Sequence, residues 1–273
     1  MSPSKIRVPD FTEKKSRGEK IAMLTAYDAT MARLMDQAGV DALLVGDSVA
    51  MVVLGHENTL AVTLEDMLHH TRAVVRGTSR ALVVTDMPFL SYQVSVEEAV
   101  RNAGRLLQEG GAAAVKLEGG RPVLDAVRRM VDVGIPVMGH LGLQPQSVNQ
   151  IGGYVKQATR AQEAEALVAD ALALQDAGAF AIVLESIPEE VARTATAALE
   201  IPTIGIGAGP YCDGQVLVSH DMLGLFDRFV PSFVKQYATM AETVRGATSA
   251  YVNDVHEGRY PLSLSKIAGI PNR

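Results

Sequence analysis

The sequence predicts a (β/α)8 barrel, and three observations lead there. Eight short apolar runs recur along its 273 residues. Stretches with helical periodicity separate most of them. Each run is continuously apolar rather than alternating, the pattern of a strand covered on both faces. Strand–helix alternation over roughly 250 residues fits a closed parallel barrel. A doubly wound open sheet is the alternative architecture.

The candidate strands are 21–26 (IAMLTA), 42–46 (ALLVG), 81–85 (ALVVT), 112–117 (AAAVKL), 135–139 (IPVMG), 179–184 (AFAIVL), 201–206 (IPTIGI) and 215–219 (QVLVS). Among the helical segments, 28–38 begins on Asp28 and stops at Gly39. Residues 63–76 open on Thr63, with Asp66 three residues on, and end at Gly77. Residues 95–109 open with a Ser95–Glu98 capping-box pattern and end at Gly110–Gly111. Segments 121–133, 161–177 and 188–199 read the same way, the first two stopping at Gly134 and Gly178. A long helical stretch, 231–257, precedes the tail YPLSLSKIAGIPNR. No linker rich in Pro, Ser or Gly divides the chain. Residues 1–273 therefore read as a single barrel domain with an N-terminal extension and a C-terminal helix and tail.

Composition narrows the class. Hydrophobic residues make up 48% of the chain, enough for a large core, and the net charge is −6. The absence of a basic tract argues against nucleic acid as a partner. A single cysteine, Cys212, excludes an intrachain disulfide framework and fits a reducing, cytoplasmic setting. The polar start MSPSKIRVPDFTEKKSRGEK lacks the apolar core of a signal peptide. No run approaches the roughly 18 apolar residues of a membrane span. A protein without a membrane partner is the expectation.

Four apolar runs end in a carboxylate: ALLVGD at Asp47, ALVVTD at Asp86, AAAVKLE at Glu118 and AIVLE at Glu185. In a barrel, all four fall at the C-terminal ends of the strands, where active sites lie. Lys116 sits two residues before Glu118 on the same strand face, and His140 follows the fifth run. A single acid of this kind can equally cap a helix or serve a surface loop. Four at equivalent ends crowd like charges and call for a cation or a proton. A lysine inside an apolar run must likewise find a partner or neutralise. Carboxylate oxygens without a Cys–His set suit Mg²⁺ or a similar hard ion that keeps water and binds substrate oxygens. Such an ion polarises a carbonyl, and a further carboxylate held apart from it can take a proton.

Louder motifs carry less. GIGAG (205–209) lacks the G-x-G-x-x-G spacing and reads as a close-packed turn after the seventh strand. His56-Glu57 lacks the second histidine of H-E-x-x-H. His69-His70 reads as surface or packing, and Cys212 has no base beside it.

Longer strings are more specific. MLTAYDA (23–29), VGDSVAMVVLGHENTL (45–60), TDMPF (85–89), VKLEGG (115–120), MGHLGLQPQSVNQIGGYVKQ (138–157), VLESIP (183–188) and IGIGAGPYCDGQVLVSHDMLG (204–224) together resemble the ketopantoate (3-methyl-2-oxobutanoate) hydroxymethyltransferase family. The resemblance runs from about residue 5 to the end of the long helix. It implies a barrel of the phosphoenolpyruvate mutase/isocitrate lyase type. It also implies Mg²⁺, 5,10-methylenetetrahydrofolate as cosubstrate, and 3-methyl-2-oxobutanoate as the acceptor that becomes 2-dehydropantoate. Carried over by motif, Asp47 and Asp86 hold the metal and Glu118 is the third acid, through water. Asp47 and Asp86 thereby also meet the substrate. Ser48 and Lys116 hold the ketoacid carboxylate, His140 lines the pocket, and Glu185 accepts the proton. A homodecamer is implied as well.

Three rivals remain open on the residues alone. In an aldolase-like barrel, Lys116 would form a Schiff base and need a lowered pKa. A metal-dependent carbon–carbon lyase acting on a dianion would need more basic residues than Lys116 at the strand ends. A keto-acid binding or assembly scaffold would need no proton acceptor. The segment VAMVVLG (49–55) and the C-terminal tail serve equally well as oligomer contacts or as packing on their own barrel.

Overall fold

The computed structural model describes residues 4–262. It contains a closed barrel of eight parallel strands in sequence order. The strands are β1 Ile21–Thr25, β2 Ala42–Val45, β3 Leu82–Asp86, β4 Ala114–Lys116, β5 Val137–Gly142, β6 Ala181–Glu185, β7 Thr203–Ile206 and β8 Gly214–Leu217. The helices are α1 Val8–Ser16, α2 Ala29–Gln37, α3 Val49–Val52, α4 Leu64–Gly77, α5 Val96–Gln108, α6 Leu124–Asp132, α7 Val148–Ile151, α8 Ala161–Asp176, α9 Glu189–Ala198, α10 Ser219–Met222 and α11 Met240–His256. The chain forms two compact units, Met1–Ser219 and His220–Arg273. The first contains the whole barrel.

All eight expected strands form, and helix capping explains where the outer helices start. Asp28 accepts from the N–H groups of Thr30 and Met31 at 2.8 and 2.9 Å, which starts α2. Thr63 and Asp66 make a full reciprocal capping box at α4. At α5 only half of the expected box appears, with Ser95 Oγ accepting from the Glu98 N–H at 3.1 Å. No helix lies between β7 and β8. Residues 207–213 make the return, with Asp213 accepting from the N–H of Thr203 at 2.9 Å and from Lys15 at 2.9 Å.

Period-two alternation sends every second strand residue into the barrel. Met23, Ala42, Leu44, Leu82, Val84, Ala114, Met138, Ala181, Val183, Ile204 and Val216 share one buried interior cluster. Helix α1, which the sequence reading treats only as a polar extension, contributes Phe11 to that cluster. The Phe11 ring meets Phe180 edge-on at 5.5 Å. Two apolar side chains of a charged helix, buried Phe11 and partly buried Val8, thus pack against this cluster.

Two further corrections concern element boundaries. β5 runs to Gly142, so His140 lies inside the strand, paired opposite Val183, rather than after it. The helix expected over 231–257 begins only at Met240. In the second unit, the N–H groups of Tyr237, Met240 and Ala241 bond the carbonyls of Met222, Leu223 and Gly224. Those bonds replace the i−4 bonds of a helix. α11 buries none of its residues among those described. In the segment 49–55, Val49 and Ala50 are buried while Val53 and Leu54 are exposed. The proposed contact tail lies outside the described residues from 263 onward. Among the described residues, no helix is long and apolar enough to cross a membrane.

Candidate active site

The interior face changes character one step beyond its apolar layer. Two residues on from Val84, Ala114, Met138 and Val183 come Asp86, Lys116, His140 and Glu185. The alternation that buries the apolar side chains therefore points these four into the barrel as well. Asp86 and Lys116 pair in register on β3 and β4. Asp47 and Glu118 join them from the turns that follow β2 and β4, and both are buried. Of the residues expected at the site, these six form one network.

Each of the three acids that end or follow β2, β3 and β4 accepts a hydrogen bond from an N–H on one oxygen. Asp86 Oδ2 accepts from the Asp47 N–H at 3.0 Å. Asp47 Oδ2 accepts from the Gln146 side-chain amide at 2.9 Å. Glu118 Oε2 accepts from the Gln146 backbone N–H at 3.1 Å. Burial and the neighbouring Asp86 push the Asp47 carboxyl up to about 7. Burial, with the Asp47 charge next, drives Glu118 well above the ordinary carboxylate range.

Lys116 is the positive counterpart. Its Nζ stands 3.0 Å from Asp86 Oδ1 and 3.0 Å from His140 Nδ1. Burial works against its charge, but Asp86, Glu118 and Asp47 outweigh that and raise its pKa above the usual lysine value. Burial and the Lys116 charge hold His140 well below its ordinary value, so its ring is neutral. On the other side of that ring, His140 Nε2 lies 3.1 Å from Glu185 Oε2, though the pair is not aligned as a good hydrogen bond.

Glu185 differs from the other three acids. Its side chain is 17% exposed, against 3–4% for Glu118 and Asp86. Burial still raises its carboxyl to about 7, opposed by Lys116. The end of its strand is sterically defined. Gly142, opposite Glu185 on β5, has φ +92°, and a Cβ there would lie 2.2 Å from the Glu185 carbonyl oxygen.

Ser48 stands at the edge of the network, its Oγ 2.8 Å from the Tyr27 hydroxyl. Gly46 lets the turn close. A Cβ on it would meet Ser48 Oγ at 2.7 Å and Asp86 Oδ2 at 3.6 Å. Sequence reasoning missed Tyr27, Tyr92 and Gln146. Gln146 sits in a polar Gln/Asn-rich loop, where nothing in the pattern separates one amide from its neighbours. The weaker motifs behave as expected: His70 Nδ1 bonds the Tyr27 carbonyl at 2.7 Å, and Cys212 is a buried free thiol.

These features define a closed (β/α)8 barrel with a carboxylate-lined C-terminal rim. Similar solved structures include 2,3-dimethylmalate lyase, a member of the phosphoenolpyruvate mutase/isocitrate lyase superfamily, at TM-score 0.60 and 20% identity, covering 98% of this chain and 96% of that one. Phosphonopyruvate hydrolase, solved with oxalate and Mg²⁺, matches at TM-score 0.62 and 12% identity, covering 98% and 92%. Those likenesses are of fold. The sequence is more specific. A family model described as ketopantoate hydroxymethyltransferase matches residues 5–263, and the chain belongs to that family. The 3-methyl-2-oxobutanoate hydroxymethyltransferase of Moorella thermoacetica is 58% identical over 258 residues, covering 94% of this chain and 96% of the relative. The one from Syntrophus aciditrophicus is 59% identical over 247 residues, covering 90% and 91%.

Proposed function

We propose that this protein transfers a hydroxymethyl group from 5,10-methylenetetrahydrofolate to C3 of 3-methyl-2-oxobutanoate, giving 2-dehydropantoate for pantothenate biosynthesis. One observation carries the reading: the four rim acids divide three to one. Asp47, Asp86 and Glu118 are closed in and each accept an N–H on one oxygen, while Glu185 alone reaches the open side.

The tied acids fit a hard divalent ion. Among the described residues, no three His, Cys, Asp or Glu side chains form a ready-made metal cage. Mg²⁺ needs none, because it keeps several waters and takes a few carboxylate oxygens plus substrate oxygens. Asp86 Oδ1 is buried, lacks a well-aligned hydrogen bond and faces the Lys116 ammonium at 3.0 Å, an oxygen already set in a cationic contact. Asp47 and Asp86 would hold the ion, with Glu118 acting through water. Bound there, Mg²⁺ would supply Lewis-acid polarisation of the 2-oxo carbonyl.

The chain's own groups do the rest. Lys116 and Ser48 anchor the substrate carboxylate. Glu185 takes the C3 proton, and its raised pKa suits a base working near neutrality. The freed electron pair at C3 forms a bond to the one-carbon unit. Both carbon–nitrogen bonds of that unit break, water supplies the hydroxyl oxygen, and the two folate nitrogens take up protons. Lys116 is a charge partner rather than a Schiff-base nucleophile, since its acids hold it protonated.

In the same reading residues 1–273 act as one domain in the cytoplasm, within a homo-oligomer that family resemblance makes a decamer. The test is an assay with the ketoacid and 5,10-methylenetetrahydrofolate, following 2-dehydropantoate by mass spectrometry. Product should require both substrates and vanish on exhaustive chelation. Turnover that survives chelation, with borohydride trapping substrate on Lys116, contradicts the reading.

A further inference from the structure

We infer that Gln146 is the positioning residue that sets which carboxylate oxygens of the rim are available, and that Tyr92 locks it in place. The inference rests on the metal reading of Asp47, Asp86 and Glu118 given above.

Gln146 is buried and every polar position on its side chain is used. Its Nε2 donates to Asp47 Oδ2 and to the Met87 carbonyl, both at 2.9 Å. Its Oε1 accepts from the Tyr92 hydroxyl at 2.8 Å and from Gln93 Nε2 at 3.2 Å. Its backbone N–H donates to Glu118 Oε2. The residue thus links the turns after β2, β3 and β4.

The amide has two faces that cannot be exchanged. Flipped, its carbonyl would face the Met87 carbonyl, which can only accept and would lose the proton it now receives at 2.9 Å. Its NH2 would then face Gln93 Nε2, another donor. Tyr92 enforces the observed orientation. Its hydroxyl stands 2.8 Å from Gln146 Oε1, closer than the Glu118 carbonyl oxygen at 3.2 Å, and its oxygen accepts from the Glu118 N–H at 3.1 Å.

The consequence is an ordered division of oxygens. Oδ2 of Asp47 and Oε2 of Glu118 are held by Gln146, and Oδ2 of Asp86 by the Asp47 N–H. The second oxygens of Asp47 and Glu118 remain for a cation or its waters, while Asp86 Oδ1 faces Lys116 Nζ at 3.0 Å. Hydrogen bonds of this kind orient ligating carboxylates, and their loss commonly costs about 10–100-fold in metal affinity.

The experiment titrates Mn²⁺ into the full-length protein in the presence of 3-methyl-2-oxobutanoate, reading free Mn²⁺ by electron paramagnetic resonance. Gln146→Leu keeps the volume and removes the amide. Tyr92→Phe removes only the locking hydroxyl. The expected result is tight binding by the unmodified protein, a 10-fold or greater weakening in Gln146→Leu, and a smaller weakening in Tyr92→Phe. Thermal melts recorded without metal should show both variants folded, and raising Mg²⁺ should restore much of their lost turnover. A purely packing role would lower the melt and leave Mn²⁺ affinity alone. Unchanged Mn²⁺ affinity in both folded variants overturns the role of Gln146 and leaves the metal reading intact. Absence of Mn²⁺ binding by the unmodified protein overturns both. If Gln146→Leu does not fold, Tyr92→Phe decides, and unchanged affinity there overturns the inference.

Discussion

Lys116 Nζ stands 3.0 Å from Nδ1 of His140, and that one approach fixes the state of the histidine. The ammonium has only protons to offer, so Nδ1 must present a lone pair. The neutral ring therefore carries its proton on Nε2, the nitrogen that faces Glu185 Oε2 at 3.1 Å. The charge of Lys116 is thereby relayed, through a tautomer, into a donor beside the proposed base.

That relay predicts a defined effect for His140→Phe. Removing the Nε2 proton leaves Glu185 without the polar neighbour that faces it at 3.1 Å. kcat should fall about 10–100-fold with a smaller change in KM, on the scale of losing a group that orients a reacting one. Nitrogen NMR of the unmodified protein should show Nε2 protonated and Nδ1 not. A spectrum with the proton on Nδ1 contradicts the assignment.

Glu185 predicts a pH dependence of rate. The base must be ionised, and burial raises its carboxyl to about 7. kcat/KM should rise with pH, with its midpoint near or somewhat below pH 7, since a bound cation favours the carboxylate. A flat profile from pH 5 to 8 contradicts that role.

The same shift predicts a stability effect of opposite use. The folded pKa of Glu185 lies above its unfolded value near 4.5. Its contribution to stability is fully present below pH 4.5 and is lost as pH rises through about 7. Glu185→Gln should therefore match the unmodified protein at pH 4 and exceed it at pH 8, by on the order of 3 kcal/mol. Denaturant melts at the two pH values check this. Equal stability at pH 8 would show that Glu185 ionises without strain.

Lys116→Met tests the charge balance. The substitution keeps the stem and leaves Asp86 buried beside the other acids without its cation. Removing one partner of a buried pair costs about 3–5 kcal/mol. Chemical denaturation at pH 8 in chelator should show a loss of that size, partly recovered by Mg²⁺. A loss that Mg²⁺ leaves untouched would argue against a cation at these acids.

Much of this site was legible because its signal is an interruption. An apolar strand with a charge at its end is unusual, and the period of two carries Asp86, Lys116 and Glu185 onto the interior face without any knowledge of the fold. Asp47 was legible as the acid that ends an apolar run, although it enters from the turn, one residue out of phase with Ala42 and Leu44. Gln146 was not legible, because an amide in a polar loop interrupts nothing, and its importance appears only when three distant turns meet. Helix α1 was hidden by its charged surface, Phe11 being its only buried residue. The overextension of the last helix had the opposite cause. Phe233, Val234 and Tyr237 suggest helical spacing, yet the backbone from 237 on bonds residues 222–224 instead.

The measurement closest to the central claim is hydrogen–deuterium exchange at C3 of 3-methyl-2-oxobutanoate, followed by proton NMR with Mg²⁺ and without folate. It isolates proton removal from the transfer that follows. The account predicts exchange by the unmodified protein, no exchange in chelator, and a loss of at least about 100-fold in Glu185→Gln, the scale of a lost general base. Exchange by Glu185→Gln at the unmodified rate would contradict it.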